Sequence, residues 1–173
     1  MRAPRRAGRK AVARSAHDTL RQLTPDDLPL MDGLLLLFGQ VFGEMETYTG
    51  SQPPVAYTRE LLERDAFIAL VALKDDTVVG GLAAYELKKF EQARSEIYIY
   101  DLAVAEAHRR QGIATALIRE VQAIAAARGA HAVFVQADTG PEDAAAIALY
   151  TKLGRMEWVL HFDIPVDAQR SGS

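Results

Sequence analysis

The sequence predicts one α/β domain built on a single sheet of mixed strand direction, with helices packed against it. Three observations carry this expectation. Strand-like and helix-like segments follow one another as strand, two helices, a hairpin with a third strand, helix, strand, helix and strand, the mixture that yields a layered α/β sheet. The run Glu96-Ile97-Tyr98-Ile99-Tyr100-Asp101-Leu102-Ala103-Val104 is almost unbroken in β-branched, aromatic and aliphatic residues, as a central strand covered on both faces requires. Finally, 173 residues with 49% hydrophobic and 25% charged side chains supply material for one core and not for two.

The elements are expected in the following order. A first strand covers Thr19 to Leu23. Thr24-Pro25-Asp26-Asp27 reads as a helix start: threonine can cap, proline suits the first helical position, and two acids face the positive end of the dipole. That helix should bury Leu30, Leu34, Leu37, Val41 and Phe42 and end near Gly43. A second helix after Pro53-Pro54 would bury Tyr57, Leu61 and Leu62. Phe67 to Leu73 and Val78 to Leu87 form a hairpin about the turn Lys74-Asp75-Asp76-Thr77, and Lys88 to Arg94 is a polar loop. Gln111 to Arg128 places apolar residues at 113, 117, 121 and 124, which is helical spacing, and Gly129 stops it. Ala132 to Ala137 is a strand and Pro141 to Leu153 a helix closed by Gly154. Met156 to Ile164 is the last strand, with Trp158 and the run Leu34 to Leu37 placed in the core. Residues 1–17 form a basic, disordered leader, residues 18–165 the domain, and residues 166–173 a tail.

Composition excludes several function classes. There is no cysteine, hence no disulfide, thiolate metal site or cysteine nucleophile. The longest apolar runs, Leu34 to Phe38 and Phe67 to Leu73, fall far short of the roughly 20 residues of a membrane span. The formal charge of −3 conceals an asymmetry: the first 17 residues hold six basic groups and no acid, leaving 14 basic against 23 acidic, a net of −9. The acidic part should attract cations and repel nucleic acid.

The sharpest local feature is Arg109-Arg110-Gln111-Gly112-Ile113-Ala114, between the central strand and the long helix. The first amides of a helix lack carbonyl partners and lie at the positive end of the dipole, so they can hold a phosphate. Gly112 lets the backbone approach an anion closely, and Ala114 is small enough to do the same. Taken alone, the same loop also reads as a solvated connection. Neither a G-x-G-x-x-G nor a GK[ST] pattern is present, so nicotinamide enzymes and P-loop NTPases lose their main support.

Arg-x-x-Gly-x-Ala after Leu102-x-Val104, followed by Asp143-x-x-Ala146-x-x-Leu149-Tyr150-x-x-x-Gly154, resembles the GNAT N-acetyltransferase superfamily over residues 18 to 164. The resemblance implies a mixed central sheet splayed at its middle strands and flanked by helices. It implies acetyl-coenzyme A as co-substrate. The pyrophosphate would lie on the amides of Gln111 to Thr115, and the pantetheine would pair with the strand edge at Leu102, Ala103 and Val104. The donor-binding set is then Arg109, Arg110, Gln111, Gly112, Ile113, Ala114 and Thr115, with Asp143 and Ala146 from the later motif.

Longer stretches resemble the aminoglycoside 3-N-acetyltransferase type I group. They include Lys89-Phe90-Glu91-Gln92, His108 through Ile118, Val135-Gln136-Ala137-Asp138, Ala148 through Gly154 and His161-Phe162-Asp163-Ile164. This narrower resemblance implies acetylation of the 3-amino group of the 2-deoxystreptamine ring in gentamicin-type aminoglycosides, and so antibiotic resistance. A cytoplasmic homodimer, binding neither nucleic acid nor membrane, is expected.

Direct transfer from a thioester to an amine needs a neutral amine, a polarised carbonyl and an acid for the departing thiolate. Asp101 is the expected amine-side residue. Simple alternation sets it on a face with Ile97, Ile99 and Ala103, a costly place for a carboxylate without partners. A bulge there, common in the superfamily, would turn it into the cleft; a carboxylate satisfied by backbone amides at a strand irregularity is the structural alternative. Asp138 follows the adjacent strand, where ligands of open α/β sheets collect, or else caps a loop. Tyr100 could lend its hydroxyl nearby or serve as core. Tyr150 matches the family's acid toward the coenzyme A sulfur, although its position alone reads as a core aromatic. Glu44, Glu46, Tyr48 and Glu91 are candidates to line an acceptor cleft or are solvated surface. His108, His131 and His161 lack ligand spacing, so no metal is assigned. Two other functions stay open: a GNAT enzyme acting on another polyamine or small amine, and a non-catalytic acetyl-coenzyme A sensor, which would need only the helix-start loop.

Overall fold

A computed structural model describes residues 18–165, and these fall into two units divided between Gln136 and Ala137. The leader and the tail lie outside the described residues. The first unit carries the sheet. Its elements are β1 (Asp18–Gln22), α1 (Leu28–Phe42), one π-helical turn (Glu46–Gly50), α2 (Val55–Glu63), β2 (Phe67–Lys74), β3 (Thr77–Lys88), β4 (Ser95–Val104), a short 3-10 turn (Glu106–His108), α3 (Ile113–Arg128) and β5 (Ala132–Val135). The strands lie side by side in chain order. β1 to β4 run antiparallel, and β5 runs parallel to β4. This is the mixed sheet the sequence predicts. β4 pairs with β5 only from Glu96 to Ile99, so its second half is splayed from that neighbour.

The two sheet faces bury different partners. Phe67, Ala69, Val71, Ala83 and Ala103 pack with Met31, Leu34, Leu37 and Phe38 of α1. On the opposite face Ile68, Leu70, Leu82, Ile97 and Ile99 are buried, as are Leu117 and Val121 of α3. Two adjacent glycines on β3 let both helices approach. A Cβ on Gly81 would strike Leu34 of α1, and one on Gly80 would lie 2.7 Å from Ile113 Cγ2 at the start of α3. The start of α3 and the end of α1 are the parts that build the site, so these contacts place it.

Local chemistry moves several expected boundaries. α1 starts at Leu28, not at Pro25, because Asp27 holds the preceding turn in place. Its Oδ2 accepts from the Thr24 amide at 2.9 Å and the Thr24 hydroxyl at 2.8 Å, while Arg21 pairs with the same carboxylate. Proline does occupy the first helical turn, but it is Pro29. Leu30 and Val41 are only partly buried and Phe42 is exposed; Met31 and Phe38 take those places. α2 turns Thr58 and Leu62 inward, one helical turn apart, which leaves Tyr57 exposed. α3 begins at Ile113 because Gly112 has φ 86°, outside the helical region. β5 stops at Val135, two residues short of the expected end.

The second unit contains a 3-10 turn (Pro141–Asp143) and α4 (Ala144–Leu153). The expected last strand is not among the five of the sheet. Met156 to Ile164 forms no strand among the described residues; alternation alone does not supply the neighbouring edge that a strand needs. Trp158, placed in the core by the sequence, is instead 82% exposed.

The Gly81–Leu34 contact is directly testable. Gly81→Ala should cost about 1–3 kcal/mol by overpacking, measured by urea unfolding. Leu34→Ala opens the space that the new methyl needs. The double variant should therefore lose less than the two single losses combined.

Candidate active site

Asp101 owes its direction to an irregularity in β4. Opposite it on β3, Ala84 pairs with Ile99 and Ala83 pairs with Asp101, so Tyr100 is an extra residue with no partner of its own. A bulge of this kind interrupts the two-residue alternation of side chains. Ile97 and Ile99 face the side covered by α3, whereas Asp101 lines up with Ala83 and Ala103 on the α1 side. Alternation alone would have buried the carboxylate among isoleucines.

On the α1 side Asp101 meets Tyr48, carried on the π-helical turn that follows α1. The Tyr48 hydroxyl donates to Asp101 Oδ2 at 3.2 Å. The Tyr48 ring packs against Phe38 and Phe42 at centroid distances of 5.7 and 5.8 Å, which holds the hydroxyl in place and explains why Phe42 leaves the core. Burial pushes the Asp101 carboxyl above the ordinary aspartate range, the hydrogen bond from Tyr48 pulls it down, and the charge of Glu44 raises it further. Burial, then the Asp101 charge, raises Tyr48 well above the usual tyrosine range, so it remains a hydrogen-bond donor at neutral pH. A raised carboxyl is a better proton acceptor than a free aspartate, because proton transfer improves as the base approaches the operating pH.

The loop before α3 presents unpaired donors. The first intrahelical bond runs from the Ala116 amide to the Gly112 carbonyl at 2.9 Å, so the amides of Gly112, Ile113, Ala114 and Thr115 have no helical acceptor. No side chain caps them. A Cβ on Gly112 would meet no atom within 4 Å, so the backbone here is open to a close ligand. Arg110 also adopts a positive φ of 63°, and Arg109 Nε donates to the Val104 carbonyl at 3.3 Å. The adjoining strand edge is oriented in register with this loop. The Ala105 amide donates to Val79 on β3, so by the antiparallel alternation the peptide groups of Leu102 and Val104 point away from β3. They lie beyond the last β4–β5 pair, Ile99 with Val135.

Glu44, Tyr48 and Asp101 thus come together, as do Arg109 to Thr115 with the edge at Leu102, Ala103 and Val104. Glu91 does not join them. It sits in the loop before β4, 3.9 Å from Lys89 and 3.5 Å from Arg94. In the second unit, the Asp138 amide donates to Asp143 Oδ2 at 2.9 Å, so Asp143 closes the turn that leads into α4. Ala146 and Tyr150 are on α4, and burial, with Asp143 nearby, raises the Tyr150 hydroxyl above its usual range.

A chain of aromatic rings lies beside Asp101 that no sequence pattern announces. Phe67 and Tyr85 are 5.2 Å apart, Tyr85 and Tyr100 5.9 Å, Tyr100 and Tyr98 5.8 Å, and Tyr98 and Phe134 4.9 Å. The rings cross from β2 to β5 on the face opposite α3. Tyr98 and Tyr100 were visible as the aromatic partners of Ile97 and Ile99, and that alternation was the available signal. Tyr100 is 61% exposed and so is not core.

Comparison with known proteins agrees with this geometry. The acetyltransferase (GNAT) family profile matches residues 37–154. An aminoglycoside acetyltransferase from an uncultured soil metagenomic sample is 65% identical, with a TM-score of 0.86 over 87% of this chain and 99% of that one. A second one, also from an uncultured soil metagenomic sample and solved in complex with sisomicin, is 33% identical, with a TM-score of 0.79 over 87% of this chain and 97% of the other. Among curated proteins, N-acetyltransferase 8B of Rattus norvegicus is 34% identical over 84 residues, covering 49% of this chain and 37% of the relative. The chain therefore spans well under half the length of that relative.

The Tyr48–Asp101 pair makes a titration prediction. Tyr48→Phe removes the hydrogen bond that favours the carboxylate, so the Asp101 midpoint, followed by carbon-13 NMR, should move to higher pH. A carboxyl raised on folding costs stability when ionised, and lowering pH through its folded-state pKa relieves that cost. Asp101→Asn should therefore raise Tm at pH 7, and the gain should shrink as pH falls through that raised pKa.

Proposed function

This chain belongs to the GNAT acetyltransferase family, and on that premise we propose that it acetylates the 3-amino group of the 2-deoxystreptamine ring of gentamicin-type aminoglycosides. The observation that carries the reading is the Asp101 carboxyl, held by Tyr48 at the bulge where the edge of β4 becomes open. Resistance to such drugs would follow from loss of an amine they need as a cation.

Acetyl-coenzyme A supplies an activated acetyl group. The free amides of Gly112 to Thr115 suit its pyrophosphate, with Arg109, Arg110 and Gln111 alongside, and the outward peptide groups of Leu102 and Val104 suit its pantetheine. Asp143 and Ala146 complete the donor set on the family pattern. Asp101 orients the acceptor ammonium and takes its proton, directly or through one water, as the nitrogen attacks the thioester carbon and the carbon–sulfur bond breaks. Tyr150, on the family motif, returns a proton to the sulfur. Asp138 and the Tyr100 hydroxyl are the alternative amine-side groups, and Glu44 and Tyr48 are assigned to the acceptor, while Glu91, occupied by Lys89 and Arg94, is left out of that set. The net charge of −9 outside the leader supports a polycationic acceptor. The reading includes a cytoplasmic homodimer without a metal. The exposed residues Trp158, Leu160, Phe162 and Ile164 supply apolar surface of the kind that partners cover, and sedimentation measures it.

The test is thiol release from acetyl-coenzyme A with gentamicin, spermidine and a lysine peptide, followed by NMR of the product. Acetyl at the 3-amino group is expected. Acetyl at the 6′ or 2′ amine contradicts the position, release with spermidine alone contradicts the drug, and no release with any amine contradicts catalysis. Asp101→Asn should lower kcat/KM by about 10²–10⁴-fold. Acceptor affinity should fall as salt screens the acids.

The donor half is tested separately. Gly112→Ala should raise the KM for acetyl-coenzyme A by about tenfold or more, because the methyl enters the space assigned to the anion. Gly129→Ala is the control for backbone strain, since Gly129 shares a positive φ of 72° at the far end of α3. It should destabilise the fold and leave that KM unchanged.

A further inference from the structure

We propose that Gly39, inside α1, is a positioning residue: its missing side chain lets the turn Glu46–Gly50 close onto the helix and sets the Tyr48 hydroxyl on Asp101. The proposal rests on the reading of Asp101 as the group that takes the amine proton, and adds the part that holds its partner in place. Gly39 is buried in the last turn of α1, and it ties down the chain beyond the helix in two ways. Its carbonyl accepts from the Gly43 amide and from the Glu44 amide, the latter at 3.0 Å. The Glu44 carbonyl in turn accepts from the Tyr48 amide at 3.2 Å. The second tie is close packing: a Cβ on Gly39 would lie 3.0 Å from Met45 Sδ, 3.3 Å from Met45 Cα and 3.4 Å from Tyr48 Cβ.

These contacts differ in how they can yield. Met45 is 42% exposed, so its thioether can swing away. Its Cα is backbone, and relieving that contact moves the turn by a few tenths of an ångström. The Tyr48 ring lies against Phe38 and Phe42, so a displacement at its Cβ is carried to the hydroxyl instead of being absorbed by the ring turning. At 3.2 Å the bond to Asp101 is already long for an O–H donor. Glycine inside a helix is unfavourable relative to alanine, so α1 by itself would be steadier with a methyl here; the glycine accommodates the turn. The titratable groups around Asp101 are Glu44 beyond α1, Tyr48 on the turn, Tyr85 on β3, and Tyr98 and Tyr100 on β4. Of these, Tyr48 donates to it and Glu44 is a carboxylate, so a displaced turn can act on Asp101 through either.

The test follows the Asp101 carboxyl by carbon-13 NMR across pH in Gly39→Ala, Tyr48→Phe and the double variant. Losing the bond that favours the carboxylate raises the midpoint, so Gly39→Ala should move it up by about 0.5–1 pH unit. The move should not exceed that of Tyr48→Phe, and adding Gly39→Ala to Tyr48→Phe should move the midpoint no further. Gly33→Ala is the control on the same helix, since its methyl would meet Val78 Cγ2 at 3.0 Å; it should alter Tm and leave the midpoint in place. A midpoint that stays or falls in Gly39→Ala overturns the proposal. So does one that rises equally without the Tyr48 hydroxyl, which would assign the effect to Glu44. Should Gly39→Ala fail to fold, nuclear Overhauser contacts between the Gly39 α protons and the Tyr48 β protons of the unsubstituted chain decide the matter, and their absence overturns it. Thiol release with gentamicin separates the positioning from the chemistry. The acidic limb of kcat/KM should move to higher pH together with the midpoint. A midpoint that moves while the limb stays, or no release from the unsubstituted chain, would uphold the placement of Tyr48 and reject Asp101 as the acceptor of the amine proton.

Discussion

The register shift at Tyr100 is the feature on which the site depends. A strand alternates its side chains with a period of two, so one inserted residue exchanges the faces of everything beyond it. Upstream of the insertion Ile97 and Ile99 are buried on the α3 side; downstream Asp101 and Ala103 belong to the α1 side. The insertion also falls where pairing with β5 ends, at Ile99 and Val135. One extra residue therefore turns an acid toward Tyr48, exposes an aromatic ring, and coincides with the start of an open strand edge. No single one of these would make a site.

The arrangement has an energetic cost that the rest of the unit absorbs. Asp101 is partly desolvated, and its described side-chain hydrogen bond is the one from Tyr48. Burying a carboxyl with incomplete compensation is unfavourable, and a raised pKa is the sign of that cost. The opposing contribution comes from two apolar layers that grip β3 and β4 from both faces, with Gly80 and Gly81 bringing Ile113 and Leu34 close. A stable scaffold with a strained or desolvated reactive group is the common balance between stability and activity.

Most of the sheet was legible in the sequence because its strands are long, apolar and bounded by clear turns. β2, β3 and β4 lie within a residue or two of expectation, as the periodicity argument requires. Local competition set the misses. Thr24 had every property of a cap, but Asp27 accepts from it and starts the helix later; no propensity rule ranks those two residues. Tyr57 and Phe42 fell on the helical repeat, yet each lies off the stripe that packs. Met156 to Ile164 alternates like a strand, and alternation records what a segment could bury, not whether an edge is present to pair with it. The site divides in the same way. The loop at Gly112 could be read from residue type and spacing, and the GNAT resemblance supplied its meaning. The bulge at Asp101 was suggested by that resemblance alone, since alternation pointed the other way. The row of ring contacts was in view as Tyr98 and Tyr100 but includes Tyr85 and Phe134 from other strands, and no sequence pattern links residues that far apart.

The proposed transfer requires the acceptor amine to meet Asp101. A crystal structure of the chain with coenzyme A and gentamicin measures it directly. The 3-amino nitrogen is expected within hydrogen-bond reach of Asp101, directly or through one water, on the face shared with Tyr48 and Tyr100. An acceptor bound elsewhere, with the Asp101–Tyr48 pair unchanged and distant from every amine, would contradict it.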